Sequence, residues 1–189
     1  MDAKKVSPNA GPIQFPFNER KALAAATYLL GRNGGTMNYM RLLKLLYFAD
    51  RMSFQEYGRP ITGDRYVAMK KGPVLSMVYD RIKAGEWGGL IRTHGYDVNL
   101  VDGEFTDPLS EAEISILDEV TRTFRTLDHW NLSDLSHDLP EWKETPNKTN
   151  GDIPVESILR TLGKKSVAIR EIREEAREES FFEEVFSDP

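Results

Sequence analysis

His94, His129 and His137 are the first residues to weigh for chemistry, because histidine is the side chain whose charge changes near neutral pH and the commonest protein metal ligand. Two of them lie in the run DHWNLSDLSHD (residues 128–138), interleaved with Asp128, Asp134 and Asp138. On a helix, Asp134 and His137 share a face, and such a carboxylate can orient an imidazole. The same spacing equally serves a structural His–Asp hydrogen bond, and that is the preferred reading: no HExxH-type motif or ligand set with an open position accompanies the histidines. The chain has no cysteine, which excludes a disulfide framework, a thiolate metal site and a cysteine nucleophile. That composition fits a reducing cytoplasm. No GxSxG elbow is present, and neither GRNGG (residues 31–35) nor KKGP (residues 70–73) has the strand, GxxxxGK[ST] and helix context of a phosphate loop. The expectation is a protein that is not an enzyme and uses no cofactor or metal, with a metal- or His-dependent hydrolase as the alternative.

Positive charge is the second chemical resource. Residues 1–93 carry 15 Lys and Arg against 7 Asp and Glu, residues 94–189 carry 10 against 23, and the chain totals −5. Such a split suits either a basic surface for an anionic partner or two halves packed with complementary fields. Arg41, Lys44, Phe48, Arg51 and Gln55, spaced three, four, three and four apart, form one narrow helical stripe. It is expected to be the solvated edge of its helix, with aliphatic stems lying over the core. Together with Arg59, Arg65, Lys70, Lys71, Tyr57 and Tyr66 it has the composition of phosphate contacts beside stacking platforms. The pI of about 5.3 and the lack of a recognition motif weigh against a dedicated nucleic-acid binder, so operator binding stays an alternative. Protein binding uses the same residues: a cationic rim around Phe48, Tyr57 and Tyr66 is the aromatic-plus-arginine mixture of interface hot spots.

These residues need elements to hold them. Asn18 caps a helix through ERKALAAATYLLGR, ended by GRNGG, and a second helix runs from about Asn38 to Tyr57, apolar around most of its circumference and therefore central and buried. Gly58 and Pro60 terminate it. DRYVAMK alternates as a short strand, and Gly72-Pro73 breaks it and opens a helix VLSMVYDRIKAG with Val74, Val78 and Ile82 buried. GLIRTHGYDVNLVDGEF predicts a small hairpin or meander. Ser110 and Glu113 form a capping box for a helix carrying Ile114, Leu117, Val120 and Phe124 on one face. A short helix then stops before Pro140 with Trp142 beyond it, and PVESILRTL and KSVAIREIREEAREESFFEEVF close the chain as helices. The fold class is mainly α: a compact helical domain around a central buried helix, with a short strand and a small hairpin. No apolar run approaches the length of a membrane span.

Four pieces, LLKLLYFAD, YGRPITGDRYVAMKKGPV, VYDRIK and NLSDLSHDLPEWKET, in this order over most of residues 19–162, resemble the SocA-like Panacea antitoxin domain family, which includes phage-associated proteins of bacteria. The most specific piece is the second, similar to the family's aromatic-Gly-Lys/Arg-Pro turn followed by an EAWKYGPV-like strand and a helix. The chain departs at Met69 (usually aromatic), at Lys71 (usually Tyr) and at Ser136-His137 with DLPEW (commonly Thr-His and SPW), which bears on partner specificity rather than on fold. The resemblance implies a mainly helical protein that binds and neutralises a toxin encoded beside it, and in one branch an adaptor that hands the toxin to the ClpXP protease. With the prolines and Gly11 of the first residues opposing a helix, the chain is expected to divide into a flexible arm (residues 1–17), the antitoxin domain (18–163) and a charged C-terminal helix and tail (164–189).

The expected partner surface comprises Arg41, Lys44, Phe48, Arg51, Tyr57, Arg59, Asp64, Tyr66, Lys70, Lys71 and Pro73, on a frame of motif residues Gly58, Pro60, Gly72, Val74, His137 and Trp142. Phe181, Phe182 and Phe186, in an acidic setting near the chain end, either pin the last helix or dock a protease such as ClpX with ClpP.

Overall fold

The computed structural model describes residues 11–103 and 105–186, and its elements follow from local signals. The Asn18 side chain accepts from the Lys21 amide and starts α1 (Glu19–Arg32), which packs through a row of small residues, Ala22, Ala24, Ala25 and Ala26, followed by Leu29 and Leu30. After the glycine turn, β1 (Thr36–Asn38) leads straight into α2 (Tyr39–Tyr57), capped by the Asn38 side chain on the Met40 amide. Leu42, Leu43, Leu45, Leu46, Tyr47 and Phe54 of α2 are fully buried, so this helix is the core on which everything else is laid. Gly58 ends it at φ 74, a left-handed conformation suited to glycine, and a side chain there would also press on Ile172.

Beyond Gly58, β2 (Tyr66–Met69) and β3 (Gly72–Leu75) form a tight antiparallel hairpin, with Met69 opposite Gly72. This corrects the expectation that Gly72-Pro73 ends the strand and starts a helix. Pro73 sits opposite Ala68 on an edge strand, where a missing N–H is tolerated, because the other side of β2 pairs with β6 (Gly151–Asp152). The helix begins later, as α3 (Ser76–Ala84).

The expected hairpin around Gly95 is β4 (Ile91–His94) and β5 (Asp97–Leu100), and β1 joins it to make a second three-stranded antiparallel sheet. The helix α4 (Glu111–Thr123) has the full Ser110/Glu113 capping box. It is followed by α5 (His129–His137), α6 (Pro140–Glu144) with Pro140 in its first turn, α7 (Val155–Thr161) and the long α8 (Ser166–Phe186). Helices α1, α3, α4, α5 and α7 and strand β3 all contact α2. The molecule is mainly helical with a small antiparallel β component.

Residues 1–10 of the expected arm lie outside the described residues. The remainder of that segment is not a free arm. Ile13 is buried and its amide donates to Glu156 at 2.8 Å, while Phe15 packs against Phe54 at the end of α2, so apolar side chains between the prolines hold this stretch on the body.

Candidate partner-binding site

Of the stripe, only Gln55 at its end is exposed; Arg41, Lys44, Phe48 and Arg51 are not an outlet to solvent, which corrects the reading of that face. Helices α4, α5 and α6 lie over it, and each of its polar groups finds a partner in the elements and loops around it, Lys44 in β3. Arg41 donates to the Leu127 and Phe124 carbonyls at 3.0 and 3.3 Å, binding the carbonyls at the end of α4, and to Asn33 at 2.8 Å. Phe48 is buried with its ring 4.6 Å from that of Phe124. Arg51 donates to Glu141 at 2.7 Å; Glu141 is fully buried and also accepts from Tyr47 at 3.1 Å and Thr161 at 2.9 Å. The spacing was read correctly as one face, but whether a neighbouring helix covers a face is a long-range property.

Two carboxylates hold the elbow between α2 and β2. Asp50, fully buried, accepts from the Ile61 and Thr62 amides, the Thr62 hydroxyl and the Tyr66 hydroxyl at 2.5–3.0 Å. Burial raises its pKa, and those four donors counter the rise. Asp64 accepts from the Met77 and Val78 amides at 2.8 and 2.9 Å, supplying the N-terminal cap that α3 lacks locally. Burial pushes its pKa up to about 6. Asp64 and Tyr66 therefore shape the elbow from inside and do not form a partner surface. Asp50 was overlooked although its position, three after Tyr47 and four before Phe54, places an acid on the apolar face of the helix.

The hairpin turn Lys70-Lys71 is the point on which the motif residues converge. Trp142 Nε1 donates to the Met69 carbonyl at 3.0 Å, His137 Nε2 to the Lys70 carbonyl at 3.1 Å, Ser133 to the Lys71 carbonyl at 2.8 Å and Lys44 Nζ to the Pro73 carbonyl at 2.7 Å. Because a carbonyl only accepts, His137 carries its proton on Nε2. Its ring lies 4.5 Å from that of Trp142. His137 thus bonds to backbone, not to Asp134. Gly72 has φ 94, and a side chain there would collide with Ser136 and lie 2.7 Å from Lys44 Nζ. Lys44 is fully buried, and burial lowers its pKa to about 7.

Held in this way, the turn presents the exposed side chains of Lys70 and Lys71 outward. The Lys71 ammonium lies 4.6 Å from the ring centre of half-exposed Trp130. Tyr57 and Arg59 stand apart, Tyr57 as the last residue of α2 and Arg59 just beyond it, where Arg59 pairs with Glu179 of α8 at 2.9 Å. Phe181, Phe182 and Phe186 are 62%, 58% and 76% exposed, beyond the last residue of α8 that is buried, Ala176. His94 is exposed and His129 half-buried with its ring 4.9 Å from that of Trp130, neither takes part in the turn's hydrogen bonds, and among the described residues no cluster of three His, Asp or Glu is placed to hold a metal ion. No helix among the described residues is long and apolar enough to cross a membrane.

Residues 42–143 match the family described as antitoxin SocA-like, Panacea domain. The match runs from α2 through α6 and so contains the turn and all four side chains that hold it. No curated protein and no solved structure matches the chain.

Proposed function

The chain belongs to the SocA-like Panacea antitoxin family, and from that premise we propose that it neutralises a protein toxin in the cytoplasm by binding it directly, with the Lys70-Lys71 turn at the centre of the contact. One observation carries this reading: four side chains from three helices fix the carbonyls of residues 69, 70, 71 and 73, while the two ammonium groups at the tip have no carboxylate partner among the described residues. A turn fastened at this density loses little conformational entropy on binding, so its charge goes into affinity and orientation. The role that the family suggests is regulatory.

The exposed Phe181, Phe182 and Phe186 support a further role as a tether to the ClpXP protease, since their end of α8 stands clear of the core and lies at the opposite end of α2 from the turn. Bound toxin and protease would then occupy separate surfaces.

Affinity purification of the tagged full chain from its host tests the toxin reading. A small, neighbour-encoded protein should co-purify in stoichiometric amount, and K70E/K71E should lose it while melting at the wild-type temperature. Retention of the partner by K70E/K71E would remove the turn from the interface. Recovery of nucleic acid with a steep salt dependence, and of no protein, would favour operator binding instead. For the tether, F181S/F182S/F186S should keep the toxin but stop its degradation.

A further inference from the structure

A cleft of about 260 Å³ opens beside the turn, between the first turns of α2, the β2–β3 hairpin and α3. Its walls are Tyr39, Leu43, Met69, Val74 and Tyr79, and Lys70 and Lys71 stand at its edge. Tyr39 is the hub of an aromatic row, stacked on Tyr96 at 6.1 Å and tilted against Tyr79 at 6.4 Å. Lys83 lies over this row, its ammonium 4.4 Å from the Tyr39 ring centre and 5.8 Å from that of Tyr79. The wall is therefore apolar and the rim cationic.

The rim lysines are notable for what they contact. Among the described residues Lys70, Lys71 and Lys83 form no ion pair, whereas Lys21 and Lys143 each have a carboxylate. Lys71 instead rests on the half-exposed Trp130 ring, and Lys83 lies over the partly buried rings of Tyr39 and Tyr79. A carboxylate brought to the rim meets ammonium groups that need not abandon another carboxylate. The apolar wall, in turn, has few polar groups with which to recognise a sugar or phosphate, and it suits one large apolar side chain.

We propose that this cleft is a binding site for an acidic peptide segment carrying an aromatic anchor, with the anchor between Tyr39, Leu43, Val74 and Tyr79 and its flanking carboxylates on Lys70, Lys71 and Lys83. This deepens the toxin-binding reading, on which it rests only for the source of the segment. Hot-spot chemistry has this form: a buried apolar anchor inside a charged rim that sets orientation and on-rate.

The test is a titration of the ¹⁵N-labelled full chain, followed by amide chemical shifts, with three capped peptides: Glu-Glu-Phe-Glu-Glu, the same with Ser for Phe, and the same with Lys for every Glu. The first should shift amides of residues 39–43, 69–72, 74 and 79, and K71E/K83E, both at exposed positions, should weaken it about tenfold or more. The Ser and Lys peptides should not bind detectably. Equal binding of the Ser peptide, equal binding of the Lys peptide, or no shift at millimolar Glu-Glu-Phe-Glu-Glu would each overturn the proposal. So would preferential binding of a single-stranded oligonucleotide at the same amides. Concentration-dependent self-association lost in F181S/F182S/F186S would assign the cleft to the acidic aromatic end of a second copy and overturn a foreign partner. If the peptide binds and no toxin co-purifies, the cleft stands and the toxin reading falls; if the toxin is held and the peptide is not, the reverse.

Discussion

Lys44 Nζ donates to the carbonyl of Pro73 at 2.7 Å from a position fully shielded from solvent, joining the central helix to the hairpin that follows it 29 residues later. No carboxylate among the described residues pairs with this amine. Burial therefore sets its titration, and the neutral amine can make the same hydrogen bond as the ammonium.

This gives stability a definite dependence on pH. The pKa of Lys44 falls from 10.5 unfolded to about 7 folded. Its stabilising contribution is complete above about 10.5, where both states are neutral, and is lost as pH falls through about 7. Between pH 7 and 9.5 the unfolding free energy should rise by up to about 3 kcal/mol, and K44M should flatten that rise. Urea denaturation of both proteins across this range measures the difference.

Asp64 has the opposite sign. Its pKa rises from 3.8 to about 6 in the fold, so the contribution is present below about 3.8 and lost as pH climbs through about 6. D64N can accept from only one of the Met77 and Val78 amides through its single carbonyl oxygen. It should remove the pH dependence between 4 and 6 and fray the start of α3, seen as faster amide exchange at Met77 and Val78.

Asp50 should be the costliest of the buried polar groups to remove. D50A leaves two amides and two hydroxyls without an acceptor, which predicts a loss of about 3 kcal/mol or more; Y66F, which deletes one donor, should cost about 1 kcal/mol. A double-mutant cycle between the two should show coupling, since they share one hydrogen bond of 2.8 Å.

Trp142 and His137 should act on the turn rather than on the whole fold. W142F removes the donor to the Met69 carbonyl and H137A the donor to the Lys70 carbonyl. Each should destabilise by about 1–2 kcal/mol and speed hydrogen exchange at residues 69–72 more than in α1 or α4. Uniformly faster exchange across the chain would assign these residues to global stability alone.

G72A should be worse than G34A. Both glycines have positive φ, 94 and 83, but only Gly72 faces Ser136 and Lys44, whereas the space at Gly34 is open. Backbone strain is common to the two, so the difference in thermal midpoint reports the tight approach of α2 and α5 to the hairpin.

The sequence makes most of the helices legible because their signals are local. Asn18, the Ser110/Glu113 box, Gly58 and the apolar circumference of residues 39–57 each act within a turn or two of chain. The hairpin at Gly72-Pro73 is misread because the local rule, proline opening a helix, competes with a pairing that depends on α5 seated against the turn. The strands β1 and β6 escape notice for a related reason: with three and two residues, they exist only as partners of β5 and β2.

For the candidate site the division is sharper. Residue types and spacing alone determine that Arg41, Lys44, Phe48 and Arg51 share one helical face and that Lys70-Lys71 sits at a break in the chain, because both follow from helix period and turn chemistry. They also carry the family motifs. Whether a face meets water or another helix is decided by segments 76 to 90 residues away, which bring Leu127, Phe124 and Glu141 to Arg41, Phe48 and Arg51. Tertiary packing thus turned the cationic stripe into internal fastening and left Lys70, Lys71 and Lys83 as the exposed charge around the cleft, since a buried ion needs partners from distant chain and a free one is defined by receiving none.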